Sequence, residues 1–79
     1  MTLQNNLRRL RFEQAEMSQQ TLADLIGVTR MTIYSIEKGK YIPSTVLALR
    51  MAKVFNHTVE EIFSLADDDD PQKGKNEND

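Results

Sequence analysis

Between Arg30 and Lys53 the chain carries five basic residues, Arg30, Lys38, Lys40, Arg50 and Lys53, against the single acid Glu37. Among them stand side chains that hydrogen-bond or offer apolar contact without charge: Met31, Tyr34, Ser35 and Tyr41. The chemistry open to such a set is recognition of a polyanion. Ammonium and guanidinium groups release the counterions condensed on phosphates, and a guanidinium fork matches the paired acceptors on the edge of guanine. Bond-making chemistry needs other groups. His57, the lone histidine, precedes a threonine suited to cap a helix and reads as a loop residue, not as a base or metal ligand. Ser18, Ser35 and Ser44 have no histidine neighbour recognisable in the sequence, and His57 could serve only one of them. The run Asp67 to Asp70 lacks the spaced oxygen ligands and loop glycine of a calcium-binding loop, and Glu60 and Glu61 adjoin a helix start, where compensation of the dipole accounts for them. Arg8 and Arg9 read as a solvated helix face. The expectation is a non-enzyme with no metal, no cofactor and no small-molecule ligand.

The elements that must position these groups are helices, because apolar residues recur at three and four. Leu3, Leu7 and Leu10 predict a first helix reaching towards Ala15. Ser18 stands where an N-cap belongs, ahead of Leu22, Ala23, Leu25 and Ile26, and Gly27 supplies the left-handed geometry that commonly ends a helix. Thr29 caps a third helix running through Lys38, with Ile33 and Ile36 inward and Gly39 as terminator. That inward pair sends Arg30, Met31, Tyr34, Ser35 and Lys38 outward. Pro43 and Ser44 open a fourth helix, whose apolar side holds Leu47, Ala48, Met51, Val54 and Phe55 and which stops at Asn56. Thr58 and Glu61 fit a capping box for a fifth, lined by Val59, Ile62 and Phe63. Residues 2–4 and 64–66 are able to pair as a minor ribbon. The expected fold class is all-α, five short helices with that ribbon at the ends.

Length and charge bound the rest. Seventy-nine residues without cysteine make one domain stabilised by an apolar core, which is marginal at this size. No apolar run approaches the ~18 residues of a membrane span and no cleavable leader is visible, so the expected location is cytoplasmic, with no membrane partner. The net charge of −2 argues against a nucleic-acid partner until it is placed along the chain. After Leu65 stand six acids against Lys73 and Lys75, with almost no apolar residues. The sequence thus divides into a domain over residues 1–65 and an acidic tail over 66–79, which cannot offset its ordering entropy and is expected to be disordered and to weaken non-specific DNA binding by repulsion.

The segment from residue 19 to 38 has small and apolar residues where two steeply crossed helices must touch: Ala23 permits close approach, Gly27 makes the turn, and Ile33 and Ile36 hold the second helix. The stretch Met17-Ser18-Gln19-Gln20-Thr21-Leu22-Ala23-Asp24-Leu25-Ile26-Gly27-Val28-Thr29-Arg30, followed by Thr32-Ile33 and Ile36-Glu37-Lys38-Gly39-Lys40, resembles the lambda-repressor-like, Cro-type helix-turn-helix (XRE) family. The resemblance extends from about Asn6 to Phe63 and includes Pro43-Ser44 and Glu60-Glu61-Ile62-Phe63. It implies a compact five-helix domain whose third helix lies in the DNA major groove, usually as a homodimer on an inverted repeat. It also implies that Gln19 clamps a phosphate. One departure concerns the first helix. An arginine that pairs with the family's equivalent of Glu37 commonly stands five positions before the residue matching Met17; here Phe12 occupies that place and Arg11 precedes it. An ion pair from Arg11 to Glu37 is expected if the turn around Ala15 and Glu16 absorbs one extra residue.

The residues expected to touch bases are Arg30, bidentate on guanine, Met31, suited to a thymine methyl because its thioether cannot pair with adenine, Ser35 and Tyr34. Those expected on phosphates are Gln19, Lys38, Lys40 and Tyr41. Ile62, Phe63 and Leu65, with Leu3 nearby, are the expected self-association surface. The function read from the sequence is a sequence-specific double-stranded DNA-binding transcriptional regulator, a repressor acting as a homodimer on a palindromic operator. The alternative is a protein-interaction module, such as an antitoxin-like partner, built on the same scaffold.

Overall fold

The computed structural model describes residues 3–66. Its elements are β1 (Leu3–Asn5), α1 (Leu7–Glu13), α2 (Gln19–Ile26), α3 (Arg30–Glu37), α4 (Thr45–Phe55), α5 (Val59–Ile62) and β2 (Phe63–Leu65). Four of the five helices begin on a hydroxyl. The side chains of Ser18, Thr29, Ser44 and Thr58 accept from the backbone N–H groups of Thr21, Thr32, Leu47 and Glu61, which satisfies donors that helix geometry leaves unpaired. Thr58 and Glu61 form the complete capping box, with Thr58 N–H donating to Glu61 Oε1 at 2.7 Å. The ends are set by left-handed residues: Gly27 at φ 80°, Gly39 at φ 75° and Asn56 at φ 56°.

The beginning of the chain departs from the expected first helix. Leu3 lies on a strand, and α1 spans Leu7–Glu13 without reaching Ala15. Two asparagines explain the break. Asn5 Oδ1 accepts from Leu7 N–H at 3.1 Å, and Asn6 N–H donates to the Ile62 carbonyl at 2.9 Å, so the backbone finds partners outside a helix. The ribbon forms one residue inward of the expected positions, antiparallel, with Leu3 opposite Leu65, Gln4 opposite Ser64 and Asn5 opposite Phe63. Ala15 and Glu16 both take positive φ, 56° and 53°, which turns the chain sharply between α1 and α2 and accommodates the additional residue there. Helix α3 ends at Glu37 with Lys38 as its C-cap, one residue short of expectation. Leu25 is 57% exposed: with Leu22, Ala23 and Ile26 facing inward, the helical period leaves it on the outer side of α2.

The core joins Leu7 and Leu10 of α1, Leu22, Ala23 and Ile26 of α2, Ile33 and Ile36 of α3, Met51 and Phe55 of α4, and Ile62 with Phe63. Each fully buried aliphatic side chain stabilises by ~1.5–3 kcal/mol relative to exposure. The burial of Ile62 and Phe63 corrects the self-association surface expected from the sequence, because those side chains are spent inside the same molecule; of that set Leu65 is exposed and Leu3 half-buried. The fold is all-α with a two-stranded ribbon. The acidic run from Asp67 onward lies outside the described residues.

Two outcomes follow from the caps. A Cβ added to Gly27 would meet only Arg50 Nη1, at an ordinary 3.6 Å, so Gly27→Ala should cost what the left-handed backbone costs, ~1–2 kcal/mol, and lower the midpoint of thermal unfolding by several degrees. Hydrogen bonds from the Thr58 backbone N–H and then its hydroxyl, with His57 adding a smaller effect, hold the Glu61 carboxyl below the usual glutamate range. Its contribution is complete above that range and vanishes as pH falls through the lowered value. Thermal melts in acid should therefore lose part of their pH dependence in Glu61→Gln.

Candidate nucleic-acid interface

Helix α3 is anchored by Ile33 and Ile36, 0% and 2% exposed, and the helical period places Arg30, Met31 and Tyr34 on its open side. Ser35 is half-buried at the margin, and Lys38 and Lys40 are exposed just beyond the helix. Thr29, Met31, Thr32, Ser35, Lys40 and Tyr41 surround one shallow depression. The structure thus brings two expected base-contacting residues, Met31 and Ser35, together with two expected phosphate-contacting residues, Lys40 and Tyr41. Lys38 Nζ stands 5.7 Å from the centre of the Tyr34 ring, a cation–π contact that makes these two side chains one unit.

Gln19, the first residue of α2, is linked to both ends of α3. Its Nε2 donates to Glu37 Oε1 at 3.1 Å, and its Oε1 accepts from Arg30 Nη1 at 3.4 Å, a long and weak bond. Behind it, Arg11 forks onto the same carboxylate, Nε to Oε2 at 2.6 Å and Nη2 to Oε1 at 3.0 Å, while its Nη1 donates to the Met17 carbonyl at 2.7 Å. The expected Arg11 to Glu37 ion pair is therefore present, with side chains only 13% and 8% exposed. It fastens α1 and the following turn to the last residue of α3, where an uncompensated carboxylate would oppose the helix dipole. Ala23 of α2 is fully buried, and Gly27, left-handed at the end of α2, turns the chain towards α3.

Four features were not drawn from the sequence. Arg50, one of the five basic residues of that segment, donates from Nη1 to the Ile26 carbonyl at 2.9 Å and so caps the end of α2. Its basic neighbour Lys53 lines a groove along α4 and α5 with Val46 and Leu49, apart from the depression beside α3. Asn5 Nδ2 donates to the Ile36 carbonyl at 3.0 Å, tying β1 to the end of α3. Thr32 joins the depression, its hydroxyl 3.1 Å from that of the capping Thr29. Among the described residues no three His, Cys, Asp or Glu side chains are grouped to hold a metal ion, and no helix is long and apolar enough to cross a membrane.

A helix-turn-helix family model matches residues 7–62, from the start of α1 to the end of α5. An uncharacterized HTH-type transcriptional regulator of Bacillus subtilis, YgzD, is 39% identical over 66 residues, covering 84% of this chain and 98% of its own length. Another such regulator, from Methanocaldococcus jannaschii, is 49% identical over 53 residues, 67% of this chain and 80% of the relative. Among solved structures, the restriction-modification controller protein C.AhdI from Aeromonas hydrophila superposes with a TM-score of 0.63 at 34% identity, over 70% of this chain and 82% of that one.

The ion pair behind the interface gives a stability prediction. Replacing Glu37 by glutamine leaves the Arg11 charge buried without its counter-ion, at a cost of ~3–5 kcal/mol, whereas the double variant Arg11→Leu with Glu37→Gln should cost distinctly less than the single changes Arg11→Leu and Glu37→Gln combined. Urea denaturation of the four proteins measures the difference.

Proposed function

Since the chain belongs to the helix-turn-helix family, we propose that this DNA-binding transcriptional regulator is a repressor that binds an inverted-repeat operator as a homodimer, with residues 29–38 of each copy in the major groove. The observation that carries this reading is the division of α3: one side is consumed by Ile33 and Ile36, and the opposite side offers Arg30, Met31 and Tyr34 to a partner. In this assignment Arg30 reads guanine, Met31 a thymine methyl, and Ser35 and Tyr34 complete the base contacts. Gln19, Lys38, Lys40 and Tyr41 hold phosphates on either side, fixing register without reading sequence. Residues 19–38 are the recognition unit and residues 1–65 the domain that carries it. The Bacillus and Methanocaldococcus relatives are named as transcriptional regulators, which supports the same reading. The relatives are bacterial and archaeal, so we place the protein with the DNA in the cytoplasm.

A single module of this kind covers only ~600–1,000 Å² of DNA interface, too little to select one site in a genome, and pairing two copies is the remedy. Two-fold symmetry then sets half-sites about 34 Å apart. For the pairing surface we favour the exposed apolar side chains Val46 and Leu49 of α4.

Selection of bound duplexes from a random pool tests the whole proposal. The expected product is a palindrome, with Arg30→Ala losing the preference at one base pair per half-site, worth ~1–3 kcal/mol of discrimination. Affinity should fall by orders of magnitude between about 50 and 200 mM salt. Binding without sequence preference, or an affinity indifferent to salt, would turn the assignment towards a polypeptide partner. Sedimentation should find a dimer that Leu49→Asp converts to monomer.

A further inference from the structure

The contacts behind α3 form a continuous series from the core to the groove-facing side: Arg11 to Glu37, Glu37 to Gln19, Gln19 to Arg30. Its third member, Gln19, has two chemically different ends, and only one orientation of the amide satisfies both neighbours. Glu37 presents acceptor oxygens, so it takes the N–H end of Gln19; Arg30 has donors alone, so it takes the oxygen. Turning the amide over would set Gln19 Oε1 against Glu37 Oε1 and the amide N–H groups against a guanidinium, losing both bonds and adding two repulsions. The carboxylate is itself immobilised by the two-pronged grip of Arg11, whose third donor is held by the Met17 carbonyl.

We infer that Glu37, through Gln19, is a positioning residue for base recognition by Arg30. The buried ion pair dictates which end of the Gln19 amide faces the groove, and that end guides the Arg30 guanidinium into one arrangement before DNA arrives. At 3.4 Å the last contact is weak enough to guide without trapping, so Arg30 turns onto a base edge with little to break. Removing the guide leaves a long exposed side chain to find its geometry unaided, and the fraction of molecules ready to pair falls. The inference rests on the reading of Arg30 as a base-contacting residue.

The test is a discrimination ratio: affinity of the full chain for its selected duplex divided by affinity for the same duplex with the base pair read by Arg30 replaced. Phosphate contacts are common to both duplexes and cancel. Gln19→Leu leaves the ion pair in place, and we expect it to lower the ratio roughly five- to tenfold, in the range of coupling between neighbouring residues. Glu37→Gln, assayed below its melting temperature, should lower the ratio similarly, and should have no further effect on it when added to Gln19→Leu. A Glu37→Gln protein that loses thermal stability yet keeps the parent's ratio would overturn the inference, as would a Gln19→Leu protein with an unchanged ratio. Because Gln19→Leu spares the core, the second outcome is accessible even if Glu37→Gln fails to fold. Should Arg30→Ala itself leave the ratio untouched, the assignment of Arg30 to a base fails, which is distinct from the case where Arg30→Ala abolishes discrimination and Gln19→Leu does not.

Discussion

The carboxylate of Glu37 is the point at which this small fold commits itself. It accepts two bonds from Arg11 and one from Gln19, and through them α1, the turn after it, the start of α2 and the end of α3 meet at one group. A residue of that kind is costly to bury. It ends a helix with the wrong sign for the dipole, and it is nearly withdrawn from water. Both costs are offset only if the arginine arrives in the correct place, so the path of the chain between α1 and α2 is constrained by a distance of a few ångströms. The consecutive left-handed residues Ala15 and Glu16 are the visible result of that constraint. Neither is glycine, and the strain they carry is sustained because Arg11 must span to both Glu37 and the Met17 carbonyl.

This arrangement also separates two tasks on one helix. The buried side of α3, Ile33 and Ile36, is apolar and non-directional; it fixes where the helix lies but not how its outer side chains point. Direction comes from a polar bond at the rim, in which Arg30 donates to Gln19, while at the other end Asn5 donates to the Ile36 carbonyl and holds the backbone. The outer side is then free to vary in sequence without disturbing the core.

The caps, the inward face of each later helix and the pairing of α2 with α3 were legible because they depend on residue types at short separations: Ser18, Thr29, Ser44 and Thr58 ahead of apolar repeats, Gly27, Gly39 and Asn56 behind them. The Arg11 to Glu37 pair, 26 residues apart, was reached only because the sequence resembles a known family. What escaped involved a choice between local options. Leu3 fits a helical stripe as well as a strand, and its pairing with Leu65 decides the matter from the far end of the domain. Ile62 and Phe63 look alike as core or as sticky surface. Arg50 counts as one more positive charge until its bond to the Ile26 carbonyl converts it into a cap. The amide of Gln19 shows no sign in sequence of its two opposite partners.

The ribbon carries a kinetic implication. The pairs α2 with α3 and α4 with α5 meet over short stretches of chain, but Leu3 and Leu65 enclose almost the whole described polypeptide. Local contacts form sooner than those that require closure of so long a loop, so the bundle should assemble first and the ribbon latch afterwards. Opening retraces that order. Hydrogen exchange at the ribbon amides would run ahead of exchange in α2 and α3, and the carbonyl of Ile36, released by Asn5, would be the first part of α3 to sense it.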